Sequence, residues 1–357
     1  KLDQLYPEYS ESVSRFFKNN TNLRLESSYF NAKRIVIDLQ DIPNFHNGTS
    51  EFALTILSHI NQINVKFDLT ILINHNAFKF HKQKIPNDIK VLFKENVIDE
   101  HFELCFRPMQ FFSRGSLDLS LKISDKLIFV MQDIIAIRTN YLCSNELIEI
   151  FRDSIIKSDK IITISKFVDD DFKNYFVNFS FNSEVIRHGL SGISTSHKDE
   201  QYILIVGNKF YHKSLKECLY KIKSLNYKFK VIGSEKEFIK SENIEYIQSG
   251  TLKEKEIEKL YQNCSLILYP SSYEGFGLPI CHAIRFSKYI ICFENQLNFE
   301  LVDYFKFFKG IKLISSFEEI EYTISECKDI EIPNYNIPQE FNWENTAKKY
   351  YNVFLEI

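Results

Sequence analysis

Residues 269–284, YPSSYEGFGLPICHAI, are the stretch of this chain whose residue types and spacing could do chemistry. An aliphatic run at 265–269 leads into it, so the turn stands at the carboxyl end of a strand, where open α/β sheets place their ligands. Gly275 and Gly277 let the backbone approach a ligand closely, and Pro279 suits the first position of a following helix. The free N–H groups and positive end of that helix would face an anion. Glu274 is the charged side chain held in the turn, and a carboxylate accepts hydrogen bonds from sugar hydroxyls. At this level an ordinary strand-to-helix turn with an exposed glutamate stays open as the other reading.

Other chemistries find little footing. No His, Cys and Asp/Glu residues stand at metal-ligand spacing, so no metal site is expected. The three aspartates at 169–171 read as charge at a helix entry. Arg107 and Arg114 could reach an anion, but nothing in the sequence places them. The seven cysteines include no C-x-x-C pair, which argues against a zinc ribbon or disulfide framework and for reduced thiols in a cytoplasmic protein. Lys plus Arg number 44 against 47 Asp plus Glu, a net charge of −3, so no excess of positive charge is available for nucleic acid. No apolar run approaches the roughly 18 residues of a membrane span.

The elements that must position these residues follow from the periodicity. At 357 residues, with 44% hydrophobic and 25% charged, the chain is long enough for two globular domains. Short aliphatic runs at 34–39, 69–73, 89–93, 127–131 and 160–164 read as buried parallel strands, with amphipathic helices at 145–158 and 166–176. The stretch 189–198, rich in Gly, Ser and Thr, reads as a linker. The alternation then restarts with strands at 202–206, 229–232, 244–247, 265–269 and 289–293, and helices at 216–225 and 254–263. Residues 1–33 are polar and aromatic and read as an extension. The chain begins with Lys1 and shows no signal-peptide pattern, which fits a piece of a longer polypeptide.

EGFGLP resembles the sugar-donor motif of the retaining glycosyltransferases of family 4, in which a second glutamate follows the first by eight positions. Here the first is Glu274 and the second position holds His282; the glycine common five residues later is Ser287. GNKFYHK at 207–213 resembles the family's strand-to-helix loop, with Lys213 at its lysine and Asn208 where an arginine is frequent. Further resemblances follow in the family's order. Asn47-Gly48-Thr49 resembles the Gly-rich loop after the first strand, and VMQDII around Asp133 resembles a segment in which Gln132 replaces the common histidine. ITISKF at 162–167, the segment 185–189, the stretch 251–263, 296–302 with Glu300, and the W-E-x-T-A helix at Trp343, Glu344, Thr346 and Ala347 complete the set.

The resemblance implies an α/β GT-B fold. An acceptor-side Rossmann-like domain would cover 34–190 and a nucleotide-sugar domain 199–340, with a helix at 341–357 packing back on the first. It implies a retaining hexosyltransferase that needs no cofactor and no metal. Glu274, Lys213 and Asp133 would be catalytic; Gly48, Thr49, Lys209, His212, Gly275, Phe276, Gly277, Leu278 and His282 would hold the donor. Lys209 or His212 would supply the second positive contact to the diphosphate. By analogy the acceptor is a glycan or lipid-linked oligosaccharide in bacterial surface polysaccharide synthesis, with the enzyme cytoplasmic, peripheral to the inner face of the membrane or next to another domain of a longer chain. His282 and Ser287 motivate the rival reading, a non-catalytic relative that binds a sugar nucleotide, a glycan or a partner enzyme. A GT-B epimerase or phosphorylase finds little support.

Overall fold

A computed structural model describes residues 32–64, 66–97, 100–194, 200–234, 237–248, 252–328 and 330–357. The extension read over 1–33, all but its last two residues, and the end of the linker, 195–198, therefore lie outside the described residues. The first unit runs β1 (Lys33–Leu39), α1 (Gly48–Ile63), β2 (Phe67–Ile73), α2 (His75–His81), β3 (Lys90–Phe93), β4 (Phe102–Arg107), α3 (Arg114–Ile123), β5 (Ser124–Met131), α4 (Ile135–Arg138), α5 (Asn145–Lys157), β6 (Lys160–Thr163), α6 (Lys166–Tyr175) and β7 (Ser183–Val185). The second runs β8 (Ile203–Val206), α7 (Leu215–Ile222), β9 (Phe229–Ile232), β10 (Ile244–Ile247), α8 (Glu254–Asn263), β11 (Leu266–Tyr269), α9 (Leu278–Arg285), β12 (Tyr289–Phe293), α10 (Gln296–Tyr304), β13 (Ile311–Ile314) and α11 (Ile320–Cys327). Helix α12 (Trp343–Glu356) closes the chain.

Each unit carries its own parallel sheet, ordered β3-β2-β1-β4-β5-β6-β7 and β10-β9-β8-β11-β12-β13. The strands are buried on both faces, which is why they read as continuous aliphatic runs: Ile35, Val36 and Ile37 in β1 and Leu266, Ile267 and Leu268 in β11 are all at most 1% exposed. In both sheets the strand order reverses once, between β1 and β4 and between β8 and β11. A crevice opens outside the carboxyl ends at such a switch point. The loops that leave these strands carry Gly48, Lys213 and Glu274.

Strand β4 escaped the sequence reading because it is framed by charge. Arg107, at its end, is fully buried, with Nη1 2.8 Å from Asp38 and Nη2 2.6 Å from Asp41, and lies over the Phe111 ring. Burying a guanidinium is tolerable only with such pairing. Arg107 is thus a core residue, and Arg114 pairs with Asp153 at 2.6 Å on a helix. Neither is turned to an anionic ligand.

Two crossings tie the units together. The chain passes from β7 to β8 through Arg187, His188 and Gly189, and α12 returns to pack on α1 of the first unit. Leu190 N–H donates to Phe341 O at 2.6 Å, and Thr346 Oγ1 donates to Arg187 O at 3.3 Å. A carboxylate braces the same region: Glu300, from α10, accepts the N–H groups of Lys166 and Phe167 at the start of α6 (2.9 and 2.7 Å) and two bonds from Arg187. A helix N-terminus and a guanidinium are both suited to a carboxylate. All seven cysteines are free thiols. Among the described residues no helix is long and apolar enough to cross a membrane.

Candidate active site

Between the two units lies a cleft of about 500 Å³. Its lining includes Gly48, Thr49 and Asp133 from the first unit, and Lys213, Glu274, Gly275, Phe276, Gly277, Leu278 and His282 from the second. Those are ten of the twelve residues singled out from the sequence; Lys209 and His212 do not line it.

Lys213 reaches the site through local hydrogen bonding. After β8, Asn208 Oδ1 accepts Phe210 N–H at 3.0 Å, and a single 3₁₀ turn over Tyr211–Lys213 follows. The carbonyl of His212 accepts Ser272 N–H at 2.7 Å and the hydroxyls of Ser272 and Ser271 at 2.9 and 3.2 Å. These bonds lock the loop after β8 to the loop after β11, so that Lys213 Nζ donates to Glu274 Oε1. Burial works to raise the Glu274 carboxyl, but the charge and hydrogen bond of Lys213, with the Ser271 and Tyr269 hydroxyls, outweigh it and hold it below its usual range. Glu274 is an anion there, and Lys213 is its cation.

Asp133 stands opposite, just after β5. Burial, with the charges of Glu274 and Asp171, pushes its carboxyl up to about 6, although it accepts Ile135 N–H at 3.0 Å. Beside it Thr49 Oγ1 donates to Gln132 Oε1 at 3.0 Å. The aspartates at 169–171 do more than mark a helix entry: Asp171 accepts the hydroxyl of Tyr273, in the other unit, at 2.6 Å and pairs with Arg138 at 2.5 Å.

The glycines of the turn serve the closure of the two units as well as access. A Cβ on Gly275 would stand 1.9 Å from Gln132 O, inside the other unit, and Gly275 O accepts Ser165 Oγ at 2.8 Å. Gly277 has φ +83° and precedes Leu278, so α9 begins there with Pro279 in its first turn.

His212 is not a cation. Burial, and then the charge of Lys213, push its imidazole down to about 4, and its Nδ1 lies 2.8 Å from the Tyr141 hydroxyl. The second positive contact expected from it is therefore not supplied as charge. Arg285 does line the cleft, paired with Glu258 at 2.5 Å.

His282 is one turn into α9, with its ring on Tyr261 at a centroid distance of 4.5 Å. Its Nε2 is 3.4 Å from Glu51 Oε1, in the first turn of α1 of the other unit. Burial works to raise the Glu51 carboxyl, and His282, Lys84 and His188 more than offset it, holding it below the usual range. Position 282 thus lacks a carboxylate of its own but meets one across the cleft. Glu51 was not among the residues read from the sequence, and no local pattern marks it. Ser287 proves to be a backbone position: its φ is +52°, in the left-handed region that follows many helices and favours glycine. Its hydroxyl lies 3.1 Å from that of Tyr335. The change from glycine there concerns conformation rather than the cleft. Among the described residues no group of three or more His, Cys, Asp or Glu side chains is arranged to hold a metal ion.

Comparison with known proteins bears on the fold and on the class of the second unit. Residues 186–313 match the family model of glycosyl transferases group 1. An uncharacterized glycosyltransferase of Methanocaldococcus jannaschii is 28% identical over 153 residues, 40% of this chain and 42% of the relative, so the match spans less than half of either protein. HepE of Anabaena, solved in complex with UDP-glucose, superposes with a TM-score of 0.69 at 12% identity, covering 91% of this chain and all of that one. Sucrose-phosphate synthase of Thermosynechococcus elongatus gives 0.67 at 8% identity, over 91% and 98%. The chain has the GT-B fold, and the family match over its second unit supports a glycosyltransferase.

Proposed function

We propose that this chain transfers a hexose from a nucleotide-sugar donor to a glycan or lipid-linked acceptor, with retention of configuration. The second unit would hold the donor and the first the acceptor. The observation that carries the reading is the convergence of Lys213 and Glu274, from the loops at the switch point of the second sheet, on Asp133, just past the carboxyl end of β5 in the first. In this reading the donor diphosphate lies against Lys213 and the first turn of α9, whose positive charge and N–H groups stabilise the leaving group as the C1–O bond breaks. Lys213 exchanges one anion, Glu274, for another, and the carboxylate so released takes hydroxyls of the transferred sugar. Asp133, on the acceptor side, faces the positive charge that develops on the sugar ring. The acceptor hydroxyl forms the new bond to C1 and loses its proton to the departing phosphate oxygen.

The test is a thermal-shift screen with UDP-, GDP- and dTDP-sugars followed by assays of transfer and donor hydrolysis. A donor at 100 times its dissociation constant stabilises the native state by about 2.7 kcal/mol, enough to move the transition. Stabilisation by one donor, with turnover lost in Glu274→Ala, is the expected result. Binding without turnover would favour the rival reading of a non-catalytic binder, and no response to any donor would overturn the transfer reading and leave the rival only a glycan or a partner enzyme as its ligand.

A further inference from the structure

A cluster of aromatic rings stands at the reacting end of the cleft, outside its lining. Tyr141 comes from the first unit, on the segment that continues from Asp133 through α4. Phe210, Tyr211 and His212 come from the second, immediately before Lys213. The Tyr141 ring lies 6.4 Å from Phe210 in a stacked arrangement and 5.4 Å from Tyr211, edge to face; Phe210 stacks on His212 at 5.8 Å. Tyr141 and His212 meet through their polar atoms at 2.8 Å. The cluster is nonetheless open to solvent: Tyr211 is 77% exposed and Tyr141 44%. A large exposed tyrosine leaves apolar surface in water, and several together on one rim mark a contact surface.

We propose that this rim is a saccharide subsite that seats a pyranose ring of the acceptor, next to the sugar being transferred. The inference rests on the glycosyl-transfer reading and names the half of the reaction that the cleft lining leaves unassigned. Three observations point to a sugar. The rim adjoins the reacting residues through the backbone: Tyr211 and His212 share one 3₁₀ turn with Lys213, and two residues of such a turn span only about 4 Å. The loops that bear the rim are thus the ones that bear the reacting residues: Tyr211 stands two residues before Lys213 and Tyr141 eight after Asp133. The rim also joins flat apolar faces to hydroxyl groups, which matches a ring with C–H groups on its face and hydroxyls on its edge. Lastly, the rings themselves carry no charge, His212 being neutral, and Arg138, on the same segment as Tyr141, is paired with Asp171. That composition fits a neutral ring better than a phosphate or an acidic peptide. Both units contribute, so the subsite is complete only when they face each other as here.

Saturation-transfer NMR with methyl β-glucoside, methyl β-galactoside, N-acetylglucosamine, cellobiose, lactose and maltotriose tests the proposal on the whole chain. At least one saccharide should receive saturation on the protons of its ring face. Tyr211→Ala and Tyr141→Ala should weaken that binding about tenfold, with Tyr211→Phe keeping it, while the donor thermal shift of both alanine variants stays that of wild type. Equal binding by wild type and variants, or binding of none of these saccharides, would overturn the subsite. The donor arm separates the failures: loss of the subsite alone leaves the donor shift in place, whereas absence of any donor shift strikes the transfer reading itself.

Discussion

His282 and Glu51 show how a single residue changes meaning once its neighbours are known. A glutamate at position 282 would supply a carboxylate to the donor side of the cleft, and from the sequence alone that replacement should tighten the donor. Glu51 lies 3.4 Å from the histidine, so His282→Glu puts two carboxylates face to face. Like charges at such range repel, by about 4 kcal/mol at 4 Å for an effective dielectric of 20. The single substitution should therefore weaken donor binding, and His282→Glu with Glu51→Gln should restore it; calorimetry on the four members of the cycle reads the coupling. Asp133 makes a second prediction at this scale. Its carboxyl titrates near 6 in the folded protein against 3.8 as the ordinary value. Folding thus favours its protonated form, and the stability this gives is present below pH 3.8 and lost as pH rises through 6. Asp133→Asn should raise the melting temperature at pH 7 while abolishing transfer, and the wild-type rate should fall below pH 6 as the anion is neutralised. A pH–rate profile without that acid limb would remove Asp133 from the chemistry.

At the scale of elements, the turn between β11 and α9 is under two demands, ligand access and domain contact. Gly275→Ala would drive a methyl group to within 1.9 Å of Gln132 O, so the two units must part. Misplacement by about 1 Å can cost on the order of 100-fold in rate. A fall in kcat of that order and a lower melting temperature, with the donor dissociation constant nearly unchanged, are expected from steady-state kinetics and calorimetry. Ser287→Gly tests the other end of α9. Relief of a left-handed serine should stabilise the protein by about 1 kcal/mol, less what the Tyr335 contact contributes, and leave donor affinity alone. A changed affinity would return Ser287 to the cleft. The sequence made the turn legible because Glu-Gly-Phe-Gly-Leu-Pro is contiguous and each residue has a local reason. Strand β4 was illegible because its Arg107 is buried by partners in another segment, and charge normally argues against a central strand. Likewise the neutrality of His212 depends on burial beside Lys213, which spacing does not reveal.

Over the whole molecule, periodicity gave two α/β halves, and β9, β10 and β12 begin and end where the aliphatic runs do. What no local pattern carries is the facing of one half against the other: Glu300 on the start of α6, Glu51 on His282, Asp171 on Tyr273. Each joins residues far apart in the chain, and each is a single pair with no repeat to betray it. Trp343, the chain's only tryptophan, stands where α12 crosses the link between the units, 8% exposed, with Phe52, His59 and His188 rings within 6.2 Å. The protein thus carries one intrinsic fluorophore at its own pivot, and no label is needed to watch the halves move. Its emission should shift when a donor binds and stay still in Gly275→Ala, whose halves cannot seat; stopped-flow traces at 295 nm excitation (roughly the red edge of tyrosine absorption, where tryptophan dominates) would then time closing separately from transfer.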